Sequence, residues 1–143
     1  MKFNFRKLPA DPTPAFPDRK NILIPQIRIK LKNNTQEFEC YALIDSGADC
    51  CVFNAFIGEK IGLKIRNQKV QEIHGIGKGK IIAYFHKIIL VIGGLEISSY
   101  VGFTYDQSTG AVLGRKGFFD FFKVSFDLKK ERIELKPYQI GKI

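Results

Sequence analysis

The chain has 143 residues, 45% of them hydrophobic, and a net charge of +9. That length suits one domain with a core of its own, and no apolar run approaches the roughly eighteen residues of a membrane helix. The charge is uneven, +6 over residues 1–32 (eight basic, two acidic), zero over 33–115 (eight of each) and +3 over 116–143 (seven basic, four acidic), so a nucleic-acid groove in the middle of the chain is not expected.

Residues 1–21 hold Pro9, Pro12, Pro14 and Pro17. Proline at that density favours extended, non-helical chain, and a proline-rich N-terminal arm that forms a flexible terminus is expected here. Met1 to Arg6 is charged, with no apolar segment behind it, so no signal peptide is expected. A soluble, cytoplasmic protein without membrane insertion is expected from these features.

Ile27, Ile29 and Leu31 alternate with Arg28, Lys30 and Lys32. That period predicts a half-buried strand over 22–32, with a turn at Asn33-Asn34 and a returning strand over 37–44. Another strand is expected over 50–53. Asn54 reads as a helix N-cap and Gly62 as its stop, around Ala55, Phe56, Ile57 and Ile61. Strands over 69–73 and 80–92 flank a glycine-rich loop. Gly93-Gly94 marks a hairpin turn into a strand over 95–103. Val112-Leu113 reads as a short buried strand, and residues 117–123 as a short Phe-rich helix. A hairpin over 124–136 turns at Lys129-Lys130, and 138–143 is a tail. The elements are mainly β.

One stretch stands out chemically, Ala42-Leu43-Ile44-Asp45-Ser46-Gly47-Ala48-Asp49. An apolar strand delivers a carboxylate onto a tight turn. Burying that charge is expensive unless something hydrogen-bonds it. Gly47 permits the turn, and Ser46 adds a hydroxyl beside the acid. Asp-Ser-Gly alone is also an ordinary turn composition. Ala111-Val112-Leu113-Gly114-Arg115 repeats the pattern of an apolar strand running into glycine. Between the two lies Ile73-His74-Gly75-Ile76-Gly77-Lys78-Gly79-Lys80. It fails as a phosphate loop, because Ile81 follows Gly79-Lys80 where Ser or Thr is needed.

The acid–Ser–Gly–Ala turn, the glycine-rich hairpin and the strand into Gly-Arg, in this order, resemble retroviral-type (retropepsin-like) aspartic proteases. The resemblance covers about residues 22–137, which are expected to form the domain. It implies a closed or partly open β-barrel with one or two short helices and a glycine-rich flap hairpin. It implies an aspartic endopeptidase with catalytic Asp45, Ser46 and Gly47 and no cofactor. Ala48, Asp49, His74, Gly75, Ile76, Gly77 and Val112 would bind a peptide or protein substrate. Asp49 and Arg115 would form a structural ion pair. Two carboxylates sharing one proton supply both base and acid. One Asp-Ser-Gly per chain therefore implies a homodimer, with no nucleic-acid partner.

Lys78 and His74 depart from the more glycine-rich retroviral flap. The longer Phe-rich C-terminal part departs too, so the family's interface residues do not transfer. The alternative is a catalytically inactive retropepsin-fold domain that binds peptides as a scaffold. A cysteine-protease scheme through Cys50 or Cys51 lacks a supporting motif. Cys40, Cys50 and Cys51 are odd in number, show no metal-site spacing with His74 or His86, and read as small buried residues; no metal is expected.

Overall fold

A computed structural model describes residues 1–67, 69–75 and 78–139. Its elements are β1 (Lys2–Asn4), β2 (Arg6–Pro9), β3 (Asn21–Ile24), β4 (Gln26–Asn33), β5 (Gln36–Ile44) and β6 (Val52–Asn54). Helix α1 (Ala55–Lys60) and a 3-10 turn (Ile65–Asn67) follow. Then come β7 (Val70–Gly75), β8 (Lys78–Ile92), β9 (Leu95–Thr104), β10 (Ala111–Leu113), β11 (Phe122–Asp127) and β12 (Arg132–Pro137).

Seven strands form the main sheet in the order β4-β5-β10-β6-β9-β8-β7. It closes on itself because β8 also pairs with β4, Leu31 opposite Leu90. The long β8 allows this. One end pairs with β7 in the hairpin, and the other lies between β9 and β4. Period-2 alternation turns Ile27, Ile29 and Leu31 inward, where they meet Ala42, Ile44, Phe53, Phe103 and Leu113. A smaller cluster, Cys50, Val52, Ala83 and Phe85, lies under the β7–β8 hairpin with Ile73 and Ile81.

Helix α1 starts where the sequence places it. The Asn54 side chain accepts from the Phe56 N–H at 2.9 Å, and Gly62 has φ +80°. Gly58 lets the helix dock, since a Cβ there would stand 2.5 Å from Ile65 Cδ1.

Three expectations change. The strand expected over 22–32 is split at Pro25, which has no N–H to continue a ladder. The segment at 117–123 is not a helix. Gly117 has φ +100°, Asp120 Oδ1 accepts the Gly117 N–H at 3.0 Å, and a run of turns leads into β11. Phe118 and Phe122 are still buried and pack against each other with tilted rings, centroids 5.3 Å apart. Finally, the proline-rich arm is tied down. Phe3 pairs with Ile133 and Lys7 with Leu23, and Phe5 packs on Phe126 at 6.1 Å. The result is a three-stranded sheet, β1-β12-β11, beside the barrel.

Candidate active site

The site is built where β5 and β10 run parallel, Leu43 beside Val112 and Ile44 beside Leu113. Both strands end on glycine-containing loops, and the loops are laced together by backbone. The Asp45 N–H donates to the Leu113 carbonyl at 3.0 Å. The Arg115 N–H donates to Ala48 and the Lys116 N–H to Asp49, both at 2.9 Å. Gly114 sits at the crossing.

Asp45 is half-buried at the end of β5. The Gly47 N–H donates to its Oδ1 at 2.9 Å, and the Ala48 N–H donates to its backbone carbonyl at 3.2 Å. The turn thus fixes one carboxylate oxygen, and among the described residues the other has no hydrogen-bond partner. Ser46 and Gly47 are exposed, and Ala48 is half-buried. The Arg115 side chain ties the two loops together. Nη1 donates to the Ser46 carbonyl at 2.8 Å, and Nη2 contacts Asp49 Oδ1. Both charges stay open to solvent, Asp49 at 83% and Arg115 at 52% side-chain exposure, so the pair contributes little by itself.

A cavity of about 360 Å³ opens beside Asp45. Val52, Ile73, Ile81 and Val112 make its walls apolar, and His74, Asp49 and Thr109 add polar groups. Ala48 and Gly47 line it as well. His74 lies exposed on β7, where the ladder with β8 shifts register before Gly75. Ile76 and Gly77 lie outside the described residues. Among the sequence-expected residues, then, Asp45, Gly47, Ala48, Asp49, His74 and Val112 meet at one cavity. Ser46 and Arg115 adjoin it through the Arg115–Ser46 hydrogen bond.

Sequence reasoning missed Val52, Ile73, Ile81 and Thr109. Ile73 and Ile81 were within reach, since they pair directly across the hairpin and counting back from the glycine loop aligns them. Thr109 carries no such signal. A larger cavity, about 790 Å³, shares Asp49 and Cys50 with this one but does not include Asp45.

Burial disfavours the thiolate form at all three cysteines. Burial pushes the Cys50 thiol up, the Asp49 carboxylate adds to the shift, and Lys116 opposes it. Burial raises Cys51 to about 12 and Cys40 to about 11. The thiolate, not the thiol, attacks, so each thiol is held in its unreactive form. Among the described residues, no group of His, Cys, Asp and Glu gathers as a metal site, and no helix is long and apolar enough to cross a membrane.

The fold aligns with that of the EIAV protease, a retroviral enzyme, in its complex with the inhibitor HBY-793. The TM-score is 0.52 and the identity 18%, over 64% of this chain and 82% of that one. The chain therefore has a retropepsin-like fold. At that identity the likeness concerns the fold alone, and function must be argued from the site. No protein-family model and no curated protein matches the sequence.

Proposed function

We propose that two copies of this chain form an aspartic endopeptidase that cleaves extended polypeptide segments. One observation carries the reading. Asp45 stands at a strand end with one oxygen held by the Gly47 N–H, facing a cavity with apolar walls. A carboxylate so placed has one free oxygen for water or substrate. One chain offers one such acid, and a peptide bond needs both a base and an acid.

In the homodimer, Asp45 of each chain meets its mate across the two-fold axis. Like charges about 3 Å apart cannot both ionise, so the pair shares one proton. The ionised carboxylate takes a proton from water as the water oxygen bonds to the scissile carbonyl carbon. The protonated carboxylate gives its proton to the carbonyl oxygen. Collapse of the tetrahedral diol then breaks the C–N bond and returns a proton to the leaving amine. No covalent intermediate and no metal is used. Gly47 holds the carboxylate in place, and Ser46 supplies a hydroxyl toward the partner loop. The β7–β8 hairpin acts as the flap, excluding water and aligning the substrate as an added strand. His74 and Gly75 belong to that hairpin.

Incubation with peptides from a denatured protein digest tests the reading, with Asp45→Asn as control. New termini should appear with wild type and not with the variant. A statine-type peptide mimic should block them, and thiol reagents and chelators should not. Cleavage that survives Asp45→Asn, or is lost to a chelator, overturns the proposal. If folded wild type cleaves nothing, the peptide-binding scaffold is the better reading.

A further inference from the structure

The larger cavity has its own chemistry. Phe85, Tyr100 and Phe121 line it, with the Phe85 and Tyr100 rings 5.3 Å apart. Lys87 and Lys116 also line it, and both are exposed. Two carboxylates, Asp49 and Asp120, line it too, so with Arg115 the lining sets three cations against two anions. Asp49 contacts Arg115, and Asp120 Oδ1 accepts the Gly117 N–H. Among the described residues, neither lysine has an ion-pair partner. Two unpaired ammonium groups beside an aromatic floor make a place for one anionic side chain with an apolar stem.

The two cavities are neighbours, sharing Asp49 and Cys50 as a common wall. Side chains two apart on an extended peptide point the same way and lie about 7 Å from each other. A peptide laid along residues 48–50 would thus place one side chain in each cavity. We propose that this outer cavity selects an acidic residue, Asp or Glu, two positions from the apolar residue that fills the cavity beside Asp45. The proposal rests on the protease reading only in taking a peptide as the ligand. It narrows the substrate class to segments that pair an apolar residue with an acid at that spacing.

The test uses fluorescent peptide pools with a fixed Leu and either Glu or Gln two positions before or after it. Binding is measured to the Asp45→Asn chain, which removes cleavage from the readout. The Glu pool should bind about fivefold tighter than the Gln pool in at least one placement, the size expected of partly screened charge pairs. The ratio should fall toward one in the Lys87→Gln/Lys116→Gln background and at high salt. It should persist in Lys87→Arg/Lys116→Arg. Equal binding of the two pools, or a Glu preference that survives loss of both lysines, overturns the proposal. Cleavage by wild type reports separately on the enzyme. Cleavage without an acid preference overturns the outer site alone. An acid preference without cleavage supports the outer site and overturns the protease.

Discussion

The backbone of Gly114 lies so close to Cys50 that a Cβ on Gly114 would stand 2.2 Å from the Cys50 carbonyl oxygen. The same Cβ would reach the Ala48 carbonyl at 2.9 Å. These are backbone atoms in the loop that carries Asp45, and they cannot give way without moving the acid. The crossing sets the Asp45 loop against the Arg115 loop. Gly114→Ala should therefore destabilise the chain by about 3 kcal/mol or more, at the upper end of overpacking costs. Urea melts check this. A stability loss near zero would mean that the loops do not cross as described.

Gly47 gives a contrasting case. A Cβ there would meet Asp45 Oδ1 at 3.1 Å, and that oxygen belongs to a side chain. Gly47→Ala should fold, with a stability loss of about 1 kcal/mol or less, because a side chain can rotate away. The rotation takes the carboxylate from its position and weakens the Gly47 hydrogen bond. Peptide cleavage should fall about tenfold or more, as expected when a catalytic group is misplaced. Unchanged kcat with an intact fold would remove Gly47 from the catalytic set.

The Asp49–Arg115 pair is open to water, so its charge is screened. Asp49→Ala should cost less than about 1 kcal/mol in the single chain. Arg115→Ala should cost more than Asp49→Ala, because it also removes the donor to the Ser46 carbonyl. Equal melts for the two variants would show that this second hydrogen bond contributes nothing.

The thiols give a pH test. Cys51 is raised by burial from 9.0 to about 12. The folded chain therefore holds the Cys51 proton more tightly than the unfolded chain does. That contribution is complete below pH 9 and is lost as the pH rises toward 12. The urea midpoint should drop above pH 9, and less steeply in Cys51→Ala. A thiol probe at pH 8 should label Cys40 and Cys51 far more slowly in the native chain than in urea. Rapid native labelling of Cys51 would contradict its burial.

How much of this was legible in the sequence follows from the range of the signals. The alternation of Ile27, Ile29 and Leu31 is local, and it foretold both β4 and its buried face. The Asn54 cap and the Gly62 stop are local too, and α1 lies between them. Asp45 and Gly114 were readable because an apolar run ending in acid or glycine is a local pattern. The Phe118–Phe122 spacing is also local but ambiguous. Four-residue spacing buries two rings in a helix, and a tight turn opened by Gly117 does the same. Pairing of Phe3 with Ile133 left no local trace, since its partner lies at the far end of the chain. The outer cavity was unreadable for the same reason. Lys87 and Lys116 come from separate segments that only the closed sheet brings to one wall.

In the proposed homodimer each active site needs Asp45 from two chains. Wild type and Asp45→Asn should be mixed in equal amounts, unfolded and refolded together, and assayed against wild type refolded alone at the same amount. Asn is nearly the size of Asp, so both chains should assemble at random. Random pairing leaves about one quarter of the dimers with two intact acids, by the symmetry of a two-chain site. Half of the wild-type chains are then paired with variant, so activity should fall to about one half of the control. Activity equal to the control would place a complete site within one chain and contradict the two-chain site.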